Sequence, residues 1–443
     1  MDTDHIETAP QEPGRSRKEL TASTVGAIVE SFDWNIYAVL APFFAAAVFG
    51  AGSSELLAAY AGFAVGFLAR PLGSVLIGRF SDRHGRRIGL TVSMAAIAIA
   101  SLCIALLPSA ATIGAASAVL AVVFRVVQGL AYGGETPTVA AYVTEAAPRG
   151  MRWRFSAISY GGMMIGSLLA FGTITVLYAV FGKDGLSDGG WRWGFAIAAA
   201  LGLLAIWVRR CAPESAAFER LKEEHGTVRP PVGTVLREHR WSCLALLGMS
   251  IAGTVPFYFE MIYLPVYAHN RGIVDKASAS SYMTFVLAMV LVATLCAGWL
   301  ADRIGPLVVV RTGFVVQALL TLPLLFAMQS HAVPFWAGAL ILGLMTAPVT
   351  MAINLVAGLL FPVEVRAVGA GLVIGVATML FGGTFPLLAE WLHTHGGYPV
   401  LPFYVTAAAV VGLLGTFAAM RAPTFVQAMA AEPSLRRRPV ALV

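Results

Sequence analysis

Two carboxylates, Glu30 and Asp33, stand three residues apart in an otherwise apolar run, and Tyr37 follows at the spacing that keeps all three on one helical face. Two arginines, Arg70 and Arg125, lie near the middle of two further apolar runs. A charge at the centre of a lipid-spanning helix costs at least about 2.5–3.5 kcal/mol, so such groups need partners or a wet cavity. Two acids and two bases at one depth form a neutral cluster. One reading is a set of fixed pairs that holds helices in register. The other is a coupled pair, in which a carboxylate exchanges its proton when the neighbouring arginine turns to an anion. On that reading Asp33 carries the proton, Arg125 is its partner and Glu30 is the second candidate. Glu135, ten residues beyond Arg125, is either another proton-handling cavity acid or a packing anchor beside Gly133 and Gly134.

Neutral hydrogen-bonding groups lie close to these charges in the chain. Gln128 and Tyr132 share the run of Arg125, Tyr160 lies in the next, and Asn354 and Gln317 in the second half reach toward the same depth. Glu260, within Phe257-Tyr258-Phe259-Glu260, is the one clear acid in a span of that half. It either tunes substrate choice or closes an outer gate by pairing with Arg271 or Lys276. The set expected to touch a substrate is Arg125, Arg70, Tyr37, Gln128, Tyr132, Tyr160, Glu260 and Asn354.

A denser polar knot, Gly78-Arg-Phe-Ser-Asp82-Arg83-His-Gly85-Arg86-Arg87, separates two apolar runs and returns in weaker form around Asp302-Arg303, 220 positions later. Glu145 followed by Arg149 is answered by Glu364 and Arg366, at an offset of 219. A period of half the chain is the mark of an internal duplication. The acids in these motifs suit the positive amino ends of neighbouring helices, and the arginines suit Glu145 or helix carboxyl ends. Together they make a latch between two halves that must break on opening.

The elements that carry these groups follow from composition. The 443 residues are 58% hydrophobic and 12% charged, with mean hydropathy +0.76, against about 45–50% and 25% in soluble domains. Spanning about 30 Å of hydrocarbon takes roughly 20 residues, and twelve runs qualify: 21–49, 57–78, 88–107, 112–143, 155–181, 191–208, 242–268, 278–299, 307–328, 332–360, 367–392 and 399–420. The expected fold is an all-α polytopic membrane protein, with twelve transmembrane helices in two pseudo-twofold six-helix bundles at residues 21–208 and 242–420. Residues 209–241 form a charged linker, and 1–20 and 421–443 are tails. Of the 30 Lys and Arg, 24 fall in the tails and even-numbered loops or at their edges, which puts both termini in the cytoplasm. Residues 1–20 lack a signal peptide's apolar core. The four cysteines show no ligand spacing, so neither metal nor cofactor is expected.

These residues resemble the major facilitator superfamily, and within it the bacterial metabolite:proton symporter family. The knot is similar to the superfamily's Gly-x-x-x-Asp-x-x-Gly-Arg-Arg signature at Gly78, Asp82, Gly85, Arg86 and Arg87. The narrower likeness rests on Glu30 to Tyr37, on Ala69-Arg70-Pro71-Leu72-Gly73, and on Arg125 with Gln128-Gly129 leading into Gly133-Gly134-Glu135. Pro213-Glu214-Ser215, Gly253 to Tyr258, Phe361 to Arg366 and Phe381 to Pro386 continue it in order. Ser31, Thr136 and Pro306 depart from the pattern. The first two bear on substrate identity.

The resemblance implies a secondary carrier of the bacterial inner membrane, working as a monomer by alternating access. An enzyme would need a metal cluster or a nucleophile with its base, and a channel would not require a twofold repeat with a latch. Proton-coupled uptake of a small organic acid is the leading expectation, with partners limited to that anion, protons and lipid, and no nucleic acid. Uptake of a zwitterionic osmolyte and proton-antiport efflux are the alternatives.

Overall fold

The computed structural model describes residues 13–52, 54–84, 86–133, 152–210, 232–304, 306–362 and 365–430. The described chain is almost wholly helical. Its twelve spans are α1 Thr24–Phe49, α2 Glu55–Ile77, α3 Ile88–Ala105, α4 Ala116–Gly133, α5 Ser156–Gly182, α6 Leu186–Val208, α7 Arg240–Asn270, α8 Ser278–Arg303, α9 Leu307–Gln329, α10 Phe335–Leu360, α11 Gly369–Thr394 and α12 Tyr398–Ala419. Only helices and closed barrels satisfy every backbone group inside lipid, so apolar runs of this length must become helices. Leu106, Val180, Trp207, Leu319 and Leu414 stand exposed on the outward faces, where lipid solvates them.

Two boundaries differ from the hydropathy reading. The fourth run, expected over 112–143, opens with an isolated turn, Ala110–Ile113, which ends at Gly114 in a positive φ of 62°. Only from Ala116 does the chain run on as helix. The sixth span begins five residues early, in a π turn, Leu186–Gly190. Two more π turns were not legible in the hydropathy. Phe259–Tyr263 of α7 precedes Pro265, and Thr378–Gly383 of α11 precedes Pro386. A proline cannot donate to the carbonyl four residues back, and the ladder shifts locally in response.

Helices α1 to α6 form one bundle and α7 to α12 the other. α2 packs on α4, α3 on α6, and α1 on both α5 and α6; in the second half α7 and α9 pack on α12, and α8 on α10. The halves meet along α5 with α8 and α10, along α2 with α11, and where α1 touches the π turn of α7.

Glycine sets how closely α2 and α4 approach. A Cβ at Gly73 would strike the Leu130 carbonyl, one at Gly129 the Gly66 carbonyl, and one at Gly133 the Arg70 carbonyl. Backbone therefore lies on backbone along this pair, the close packing that small residues permit in membranes. This contact lets the side chains of Arg70 of α2 and Arg125 of α4 reach the same ring, that of Trp34. At the domain boundary, Gly383 of α11 makes room for the Phe67 ring.

Gly129→Leu should therefore separate α2 from α4 and destabilise the protein by at least about 1–3 kcal/mol. It should lower the melting temperature of detergent-purified protein. Gly172→Ala, which would meet nothing within 4 Å, should melt as wild type.

Candidate functional site

Trp34 of α1 occupies the centre of the first bundle. The guanidinium carbons of Arg70 and Arg125 each lie 3.8 Å from its ring centroid. Phe63 and Phe67 of α2 and Tyr132 of α4 crowd the same indole, with centroids 5.5, 4.5 and 4.7 Å away. A guanidinium over an aromatic face gains up to about 2 kcal/mol when both are dry. The indole thus offsets part of the cost of holding two cations at this depth.

The two arginines differ in what else they hold. Arg125 is fully buried, donates from Nη1 to Gln128 Oε1 at 3.0 Å and from Nη2 to the Trp34 carbonyl at 3.5 Å, and covers Tyr37 and Phe63. Asp33, also fully buried, accepts from Gln128 Nε2 at 3.0 Å and from Ser101 of α3, while Gln128 Nε2 lies 2.8 Å from Ser101 Oγ. Asp33 and Arg125 are therefore joined through the two ends of one amide rather than as the direct pair expected. The i,i+3 spacing of Arg125 and Gln128 places both on one face of α4.

Arg70 is partly accessible, covers Phe67 at 4.1 Å and Tyr132 at 4.9 Å, and has no hydrogen-bond partner at Nε. Glu30 acts electrostatically on both Arg70 and Tyr132. Tyr258 of α7 closes this side from the other bundle, edge-on to Phe67 at 5.5 Å. Tyr37 does not reach the site as a ligand. Its hydroxyl donates to the Ala59 carbonyl at 3.2 Å, and its ring serves Arg125.

In the second bundle Glu260 is buried and accepts from Thr346 of α10 at 2.6 Å. Gln317 of α9 donates to Thr346 at 2.9 Å. Of the two expected gate partners, Arg271 lies over Tyr398 while the π turn holds Glu260 buried on this hydroxyl, and the side chain of Lys276 lies outside the described residues. Tyr160 of α5 lies beside Thr350 of α10 and within the field of Glu260.

Polar contacts lie toward both ends of the molecule, beyond these groups. At the end formed by the loops after odd-numbered spans, Tyr263 of α7 donates to Glu390 of α11 at 2.8 Å, with Tyr60 of α2 and Tyr398 packed around Tyr263. Glu390 and Asp302 are further buried acids in this half, so Glu260 is not alone there. At the opposite end Asp302 of α8 accepts from the Trp153 amide at 3.2 Å and pairs with Arg154 at 3.0 Å. That amide lies in the first turn of the helix Arg152–Gly185 that carries α5, so the acid meets an amino end as the motif suggested. Ser156 of α5 donates to the Met351 carbonyl of α10 at 2.5 Å beside it. Arg303 covers Trp299, and Arg366 reaches the Phe361 carbonyl at 3.4 Å.

Gly85, Glu135, Glu145 and Glu364 lie outside the described residues, as do the side chains of Asp82, Arg83, Arg86, Arg87 and Asn354 and the surroundings of Gly78. The sequence reading passed over Trp34, Ser101, Tyr258 and the Tyr263–Glu390 pair. Trp34 sits next to Asp33 in the chain and Glu390 is an acid in an apolar run, signals open to reading. Ser101, a lone hydroxyl among small apolar residues, gives none.

The family model of the Major Facilitator Superfamily matches residues 24–292. The chain is 32% identical over 400 residues to an alpha-ketoglutarate permease of Escherichia coli, covering 89% of this chain and 91% of that one. It is 32% identical over 440 residues to an ectoine/proline transporter of Corynebacterium glutamicum, covering 94% and 86%. A crystal structure of a D-xylose-proton symporter shares the fold at TM-score 0.72 with 18% identity, covering 91% of this chain and 97% of that one.

Asp302→Ala should loosen the end that this acid closes. In a Ser156→Cys background, labelling by a membrane-impermeant maleimide from that side should rise several-fold over the same background with Asp302 intact, while labelling from the other side stays unchanged.

Proposed function

The chain belongs to the major facilitator superfamily, in its metabolite:proton symporter family, as a multi-pass membrane transporter of the metabolite and osmolyte kind and not an enzyme; from that premise we propose that it takes up a small organic carboxylate together with a proton, by alternating access. The observation that carries the reading is the unequal commitment of the two arginines beside Trp34. Arg125 is engaged with Gln128, and through it with Asp33. The Nε of each arginine is unpartnered, but Arg70 alone keeps partial access, and it lies in a ring of aromatic side chains contributed by both bundles.

Arg70 then anchors the substrate carboxylate, with Tyr132 and Tyr258 beside it, and Asp33 takes the proton. Protonation of Asp33 weakens its hold on Gln128 and so on Arg125, which couples proton loading to the arrangement around Trp34. Arg125, first expected to bind the substrate itself, is the charge partner of Asp33. The named relatives support the substrate class, since alpha-ketoglutarate, ectoine and proline all carry a carboxylate. A zwitterionic osmolyte is the second reading, favoured by Glu30 beside Arg70, which offers an acid for a cationic group.

The bundles 21–208 and 242–420 rock about this site, joined by 209–241. The Asp302 contact and the Tyr60–Tyr263 contact, each made across the bundles, open in turn, with Asp82, Arg83 and Glu145 assigned to the first of these ends. The excess of arginine in even-numbered loops supports cytoplasmic termini in a bacterial inner membrane, and the protein works as a monomer.

In proteoliposomes with an alkaline interior, uptake from a panel of radiolabelled mono- and dicarboxylates and betaines should single out a carboxylate. For that compound Arg70→Lys should weaken binding on the order of 30- to 100-fold, because an ammonium lacks the guanidinium's bidentate fork and a charge-assisted bond is worth about 2–3 kcal/mol. Equal binding by wild type and Arg70→Lys would exclude Arg70 as the anchor. Asp33→Asn should sharply lower accumulation against a gradient while counterflow exchange persists, and accumulation equal to wild type in that variant would exclude Asp33 as a carrier.

A further inference from the structure

We propose that Glu260 is a second proton-carrying carboxyl, seated in the C-terminal bundle and loaded independently of Asp33. The proposal rests on the symport reading above and adds a site to it. It starts from an imbalance of donors. Glu260 is 2% exposed and has one hydrogen bond, from Thr346 to Oε1, while Oε2 has none. Thr346 is itself served by Gln317 Nε2, and Gln317 Oε1 is also buried without a partner. Two buried acceptors, Glu260 Oε2 and Gln317 Oε1, are thus left without a donor at the two ends of the Gln317–Thr346–Glu260 chain, whose side chains are each at least nine-tenths buried.

Charge makes the imbalance sharper. The stretch Phe259–Tyr263 packs against α1, α10 and α11. From α1 the titratable groups are Glu30, acting on Arg70, and Asp33 and Tyr37, turned to Gln128 and to the Ala59 carbonyl. Helix α10, Phe335–Leu360, carries no titratable side chain and offers the hydroxyls of Thr346 and Thr350. From α11 comes Glu390, held by Tyr263, and His393, packed on Tyr398. On α7 itself Tyr258 faces Phe67, and Tyr160 of α5 feels Glu260. Among the described side chains, none of these brings a positive charge to Glu260, in contrast to Asp33, which has Arg125 behind Gln128.

A carboxylate taken out of water without a cation is far costlier than one hydroxyl bond can repay. A proton on Oε2 neutralises the group and turns the idle acceptor into a donor. Thr346 and Gln317 keep their present bonds. The proton enters from and leaves to water when the bundles part, so one cycle carries a proton in each bundle. A singly charged anion would then cross with net positive charge and respond to the membrane potential.

The test uses purified full-length protein in lipid and needs no substrate. Infrared difference spectra across a pH titration read the C=O stretch of protonated carboxyls. Glu260→Gln should remove one such band entirely, and Asp33→Asn should remove a different one. If Glu260→Gln does not fold, Thr346→Val keeps the carboxyl and should shift its band by removing the hydroxyl donor. A spectrum unchanged in Glu260→Gln, or in Thr346→Val where that variant stands in, overturns the proposal. So does a Glu260 band that disappears on adding sodium chloride at fixed pH, which would mark a sodium site instead. Loss of the Glu260 band without any Asp33 band would sink the Asp33 carrier reading and leave this one standing.

Discussion

The arrangement depends on keeping charge inside a membrane without water. Trp34 solves half of that problem by presenting its indole to two guanidiniums at 3.8 Å each. Neither cation is paid back in full by the ring, since a cation–π contact recovers only part of a buried charge's lost hydration. The remainder comes from acids on the same helix as the indole. Asp33 balances Arg125 through Gln128, and Glu30 acts on Arg70. Because the acids and the indole share α1, a movement of that helix changes the environment of both arginines together.

That cluster exists only because α2 and α4 touch backbone to backbone. With Gly66, Gly73, Gly129 and Gly133 at the contact, Arg70 and Arg125 come close enough to share one ring. Larger residues there would hold the helices apart and leave each arginine to find its own partner in lipid. Among the described residues the second bundle has no comparable charge cluster. Its buried acids Glu260 and Glu390 are met by hydroxyls of Thr346 and Tyr263, while Asp302 meets an amide and Arg154 of the first bundle.

The bundles also contribute to one another's sites. Tyr258 and Gly383 of the second fit against Phe67 of the first, directly beside Arg70. The closures at the two ends use unlike chemistry. One is a cluster of phenols around a carboxyl, with a single hydrogen bond from Tyr263 to Glu390. The other joins Asp302 to a helix amino end and an arginine, contacts that ionic strength can reach because Arg154 is partly exposed.

Much of this was legible in the sequence for one physical reason: lipid tolerates few solutions. Apolar length alone decided that there are twelve helices, the offset of 220 between Asp82-Arg83 and Asp302-Arg303 signalled two bundles, and charge at mid-span marked Glu30, Asp33, Arg70, Arg125 and Glu260. Periodicity also put Asp33 and Tyr37 on one face. What it could not decide was which group faces which across helices, since that depends on approach distance and rotation set by glycine contacts and π turns. Tertiary structure alone placed Gln128 between Asp33 and Arg125, spent the Tyr37 hydroxyl on a backbone carbonyl, and recruited Ser101 from a run that reads as plain packing. It likewise took Glu260 away from Arg271, because a π turn ahead of Pro265 holds that side chain buried against Thr346.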